Sequence, residues 1–206
     1  MKYYIKEAIF PFVYVILMSI TAIAILAISG LTWLKAVLAV LNLALYAVTV
    51  AGVAYKEGQD SIKVQHSNDL ERREIIRTGE DRPLKLNEEY KPYKGFLIGF
   101  CSCIPLLLLL VLHVITHLLG GSNVFGAIAG MIYFMFYIFF NLNVSAGSGE
   151  ITEAATVSWY ACFGTLIALP IIMSITGVSY ILGAKKIKRQ QELIKIKQHQ
   201  IYGDKD

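Results

Sequence analysis

Every charged residue of this chain lies outside four long uncharged stretches, 8–34, 36–55, 95–149 and 154–184. A helix that crosses bilayer hydrocarbon needs about 20 mostly apolar residues, and each stretch supplies them. Backbone polar groups in lipid must pair internally, which leaves helices or closed barrels. Barrel strands alternate apolar with polar positions, whereas PLLLLLVL at 105–112 does not. The pattern predicts an all-α, polytopic transmembrane helical bundle.

Within that pattern the first helix is expected over 8–29 and the second over 32–54, joined at Ser29-Gly30 with Trp33 near the interface. They form an N-terminal transmembrane hairpin over 1–54. Residues 55–94 read as a polar loop on the cytoplasmic side. In it Asn68-Asp69-Leu70-Glu71 has the Asn-x-x-Glu form of a helix cap, giving a short helix that stops at Gly79. Pro83 and Pro92 break the remainder of this segment, and Tyr90, Lys91, Tyr93 and Lys94 suit an interfacial anchor. The C-terminal membrane region spans 95–184 and the basic cytoplasmic tail 185–206.

The 55 charge-free residues from Gly95 are long enough for two crossings, divided by Gly120-Gly121-Ser122-Asn123. The first piece is a span with a kink expected at Pro105. The second, 125–141, has only 17 residues, of which seven are aromatic, and sits at the short limit. A polar loop with Glu150 and Glu153 comes next, then a final apolar run.

Basic residues choose between topologies, because Lys and Arg concentrate on the cytoplasmic side. Five crossings with the N-terminus inside leave 11 basic residues inside and 8 outside, which is no bias. Four crossings, with 125–141 as a re-entrant or outer-leaflet helix, put 18 of 19 inside and leave only Lys35 outside. The four-crossing arrangement, with both termini cytoplasmic in a plasma membrane, is the expected one. Re-entrant backbone requires protein to cover it.

Composition agrees with the pattern. The chain is 56% hydrophobic with a mean hydropathy of +0.57, above the roughly 45–50% apolar content of soluble domains. Net charge is +4, yet residues 56–94 carry nine basic and nine acidic groups, while 185–206 carry seven against three. The basic excess is therefore in the tail. Neutrality of the central loop speaks against nucleic acid as a partner. Cys101, Cys103 and Cys162 all fall in apolar segments and imply no disulfide framework. The apolar run after the charged start lacks a clear small-residue cleavage site, so it reads as an uncleaved first helix.

Candidate chemistry is sparse. His113 and His117, four apart on one helical face, have a spacing that can place two imidazoles on one metal, with Glu150 and Glu153 as the nearest acids in sequence. No zinc-protease Glu adjoins the first His, and interfacial histidines bonded to backbone or headgroups are the commoner case. Cys101 and Cys103 point to different helix faces. Asn42, Tyr46 and Thr49 form a polar line through the second helix, suited to interhelical hydrogen bonds or to a substrate path. Gly95, Gly99 and Cys103, Gly126 with Gly130, and Gly164 with Ala168 make small-residue stripes for close helix packing.

Lys185, Lys186, Lys188 and Arg189 come directly after the last span and are positioned for anionic lipid headgroups, at about 1 kcal/mol each. Ile187 and Ile194 add an apolar edge. No nucleotide loop or nucleophile elbow occurs, and no cofactor is expected. The function expected from these residues is that of a non-catalytic accessory or assembly subunit of a membrane complex, partnered by lipid and by another membrane protein or a second copy. A small transport protein, or a metal-dependent membrane enzyme using the two histidines, are the alternatives.

Overall fold

The computed structural model describes residues 2–28, 31–79, 83–138 and 161–202, and among these it is all-helical. The order is α1 (Lys2–Leu26), α2 (Thr32–Thr78), a 3-10 turn (Leu86–Glu88), α3 (Lys94–Ser102), α4 (Ile104–Leu118), α5 (Val124–Ile132), α6 (Phe134–Tyr137), a 3-10 segment (Ala161–Ile167) and α7 (Ala168–Tyr202). Among the described residues three helices are long and apolar enough to cross a membrane, or four when the bent pair α3 and α4 counts as one span. Ile5, Leu17, Leu41, Val48, Leu108 and Val111 stay exposed around the outside, while Val15, Ala22, Ala39, Leu106 and Ile172 fill the core. A broad apolar exterior of this kind suits hydrocarbon rather than water.

The kink expected near Pro105 is a 43° bend, centred on Cys103. Proline has no N–H to offer and its ring obstructs the preceding turn, so the bend falls just before it. The turn between α4 and α5 contains Gly120 at φ 72°, a left-handed conformation that glycine adopts without strain.

The polar segment departs from its expected form. α2 does not stop at residue 54 and restart at Asn68; it runs unbroken to Thr78, because no proline interrupts it and its weak point, Gly58, is held by close packing on the Tyr180 main chain. Gly79 does end it, at φ 72°, donating its N–H to the Ile75 carbonyl. Asn68 caps nothing. Its amide donates to Glu89 Oε1 at 2.8 Å and its carbonyl accepts from the Lys85 N–H at 3.3 Å, which ties the succeeding turn against α2. Arg72 reinforces the same tie at 2.6 Å from Glu89.

Glycines set the closest helix approaches. The backbone of Gly58 lies against the Tyr180 carbonyl and that of Gly183 against the Tyr55 carbonyl, so a Cβ at either would overlap main-chain atoms of the facing helix. α2 and α7 cross there without intervening side chains. On its other side α7 meets α3, where a Cβ on Gly95 would fall 2.6 Å from Tyr180 Cβ and one on Gly99 would collide with Thr176. Gly95 and Gly99 are thus a packing surface for α7, and Cys103, next in the same stripe, is buried.

Contacts along the bundle order the short helices by depth. Gly126, early in α5, abuts His113 near the far end of α4. Ile132 and Met135 flank the break between α5 and α6 and meet Ser19, midway along α1. Tyr133 donates to the Ser102 carbonyl at 3.2 Å, at the α3–α4 bend. Phe163 is again beside His113, with ring centroids 6.5 Å apart. Residues 139–160, including Glu150, Glu153 and the expected polar loop, lie outside the described residues.

Candidate functional site

The densest polar constellation joins four helix segments at the charged end of the bundle. α1 brings Tyr3 and Glu7, α2 brings Glu57 and Ser61, α3 opens with Lys94, and α7 contributes Tyr180. Lys94 is fully buried, with its ammonium 3.8 Å from Glu57 Oε1. It donates to Ser61 Oγ at 3.2 Å and to the Glu88 carbonyl at 3.1 Å, and lies 4.0 Å above the Tyr3 ring. The Tyr3 hydroxyl donates to Glu57, and Ser61 does so at 3.4 Å. Carboxylate, hydroxyl, carbonyl and ring face together replace the water that the ammonium loses on burial.

Glu7 and Glu57 also border a cavity of about 20 Å³, walled by Pro11, Val50, Val53, Ala54 and Ile98. That volume accommodates about one water. Tyr180 stacks on Tyr90 with centroids 5.6 Å apart and planes 8° from parallel. Partial burial there pushes the Tyr90 phenol above its ordinary range. Lys188 stands 4.6 Å over the Tyr90 ring and Lys186 stands 5.8 Å from that of Tyr55. Two of the four basic residues expected at lipid headgroups are therefore also cation–π partners, and all four are exposed.

A second polar group sits at mid-bundle. Ser19 Oγ donates to the Ile132 carbonyl at 2.7 Å and accepts from the Met135 N–H at 3.3 Å, so α1 satisfies the backbone freed by the break in α5–α6. The Asn42 amide donates to the Met18 carbonyl at 2.8 Å and binds α2 to α1. Tyr46 is buried edge-on to Phe136, its hydroxyl without a hydrogen-bond partner among the described residues. Thr49 turns back to the Leu45 carbonyl at 2.7 Å. The line of Asn42, Tyr46 and Thr49 thus divides: its first two members enter the core, and the third bonds within its own helix.

The histidines also differ from one another. His113 is buried beneath Gly126, whose added Cβ would approach its ring at 2.9 Å, while His117 is exposed, with the rings 6.5 Å apart. No group of three or more His, Cys, Asp or Glu suited to a metal occurs among the described residues. Of the small-residue pairs, Gly126 and Ala168 are packed, Gly130 has no neighbour within 4 Å of a built Cβ, and Gly164 is exposed.

Sequence reasoning misses the Lys94 constellation, placing Lys94 at the interface as an anchor. One signal for it exists: Tyr3, Glu7, Glu57 and Lys94 each lie within one or two turns of an apolar run's charged boundary, and an antiparallel bundle brings such boundaries together. Comparison with protein-family models, curated proteins and solved structures found no match.

Proposed function

We propose that this protein is a non-catalytic accessory or assembly subunit of a membrane complex. Its spans are α1, the apolar part of α2, α3 with α4, and the apolar part of α7, and the pair α5–α6 enters from the outer side to mid-depth. Both termini and the two charged helical extensions then face the cytoplasm of a plasma membrane. The half-depth placement of α5–α6 is supported by Gly126 against His113, Ile132 against Ser19 and Phe163 back at His113. Ser19 supplies the protein cover that interrupted backbone needs in lipid.

The observation that carries the subunit reading is the exposure of large apolar side chains on charged helices beyond the apolar spans: Leu70 and Ile76 on α2, and Leu193, Ile194 and Ile196 on α7. Such groups, set outside hydrocarbon, are suited to another protein. Affinity purification from mild detergent tests it. A stoichiometric membrane-protein partner is expected, and a monodisperse monomer with nothing bound would count against it.

A small transport or permeation protein is the second reading, favoured by a half-depth helix beside the buried Asn42 and Tyr46. Substrate flux in proteoliposomes that disappears in Asn42→Leu would support it, and flux untouched by that change would remove Asn42 from a path.

A further inference from the structure

Resting on the subunit reading, we propose that the free part of α7 is its docking element and that it receives an acidic amphipathic helix of a partner protein. α7 continues without a break from the bundle to Tyr202, and residues 192–198 are exposed throughout. Leu193, Ile194 and Ile196 are 51%, 55% and 54% exposed. At 100° per residue these three lie within one arc of about 160°, and Arg189 and Lys197 fall inside the same arc. A complementary surface therefore offers an apolar stripe flanked by carboxylates.

Two other occupants fit less well. The membrane is one, because basic residues interleaved with apolar ones also suit an anionic leaflet. A straight helix moves away from the leaflet, however: Lys195 and Lys197 stand about 15 and 18 Å beyond Lys185 along the axis, further than the Debye length of about 8 Å over which charges act at physiological salt. Only the first cluster, at 185–189, stays within reach of headgroups. A second copy is the other. Its tail would leave the same face of the membrane in the same direction, setting the six basic residues of 185–198, Lys185, Lys186, Lys188, Arg189, Lys195 and Lys197, with Glu192 as the one acid of that stretch, beside an identical set.

The test uses the full chain in nanodiscs of neutral phosphatidylcholine, titrated with a fluorescent synthetic helix carrying a leucine stripe flanked by glutamates. Saturable binding is expected, weakened about tenfold or more by Ile194→Asp and by the pair Arg189→Glu with Lys197→Glu, and recovered for the latter when lysines replace the peptide's glutamates. Binding that is absent, or unchanged by these substitutions, overturns the proposal. So does a spin label at Ile194 that enters lipid in anionic nanodiscs, or label-to-label distances that bring two tails together. A chain ending at Gln190 separates this inference from the subunit reading: a membrane partner that still co-purifies with it sinks the docking role of α7 and leaves the subunit role standing.

Discussion

The Lys94 ammonium, wholly buried, lies 3.8 Å from the Glu57 carboxylate and joins the start of α3 to the middle of α2. Tyr3 of α1 touches both partners, through its ring to Lys94 and its hydroxyl to Glu57. One ion pair thus ties three helices at the level where the apolar spans give way to charge. A single charged residue removed from such a pair leaves the other without its partner in a poorly solvated site.

Lys94→Met is accordingly expected to lower stability by about 3 kcal/mol, toward the lower end of the range for breaking a buried pair because Glu57 keeps a quarter of its side chain exposed. Glu57→Gln added to Lys94→Met should restore most of that loss, since neither charge is then stranded. Unfolding midpoints in mixed micelles check both variants. A double variant no more stable than Lys94→Met alone would show that the stranded Glu57 charge is not the source of the loss.

Glycine at 58 and 183 is expected to resist any enlargement. Gly58→Leu or Gly183→Leu forces a side chain against main-chain carbonyls of the facing helix and should cost at least about 1–3 kcal/mol. Spin-label distances between Val64 and Lys188 should lengthen with it. Gly52→Ala is the control, because nothing lies within 4 Å of a Cβ built there and the helix gains from alanine.

Ser19→Ala removes the one side chain that both accepts from Met135 N–H and donates to the Ile132 carbonyl. Two backbone groups are then stranded at mid-bundle, at a cost of about 1–3 kcal/mol for each buried unsatisfied group. Hydrogen exchange should rise at residues 133–136 and stay unchanged at 106–110. Equal protection in both forms would mean that the break in α5–α6 does not depend on α1.

Gly126→Val should displace the His113 ring, which leaves no space for a larger residue. A shifted His113 imidazole resonance, together with an unchanged His117 resonance, is the expected NMR signature. The reverse pattern would contradict the packing described.

The helical class, the bend before Pro105, the divide at Gly120 and the stop at Gly79 are all legible in the sequence, because each is dictated locally by an apolar run, a missing N–H or a left-handed glycine. The continuation of α2 through Tyr55 to Asn68 is not, because Asn68-Asp69-Leu70-Glu71 has the composition of a cap whether or not the preceding turn is helical. The cross-helix partner of Lys94 is equally hidden. Which charge meets which depends on the crossing of α2 and α7 at Gly58 and Gly183, and neither glycine stands out among the sixteen in the chain. Asn42 is legible as a polar group within an apolar helix, and its bond to the Met18 carbonyl favours a structural contact over a conduit.

The side of the membrane faced by the segment between α6 and α7 tests the topology most directly. In a chain with its three native cysteines replaced, Ser148→Cys should react with an impermeant thiol reagent in intact cells if α5–α6 enters and leaves from the outer side. Reaction only after the cells are opened would contradict the four-crossing arrangement and place the central charged segment and the tail on opposite faces.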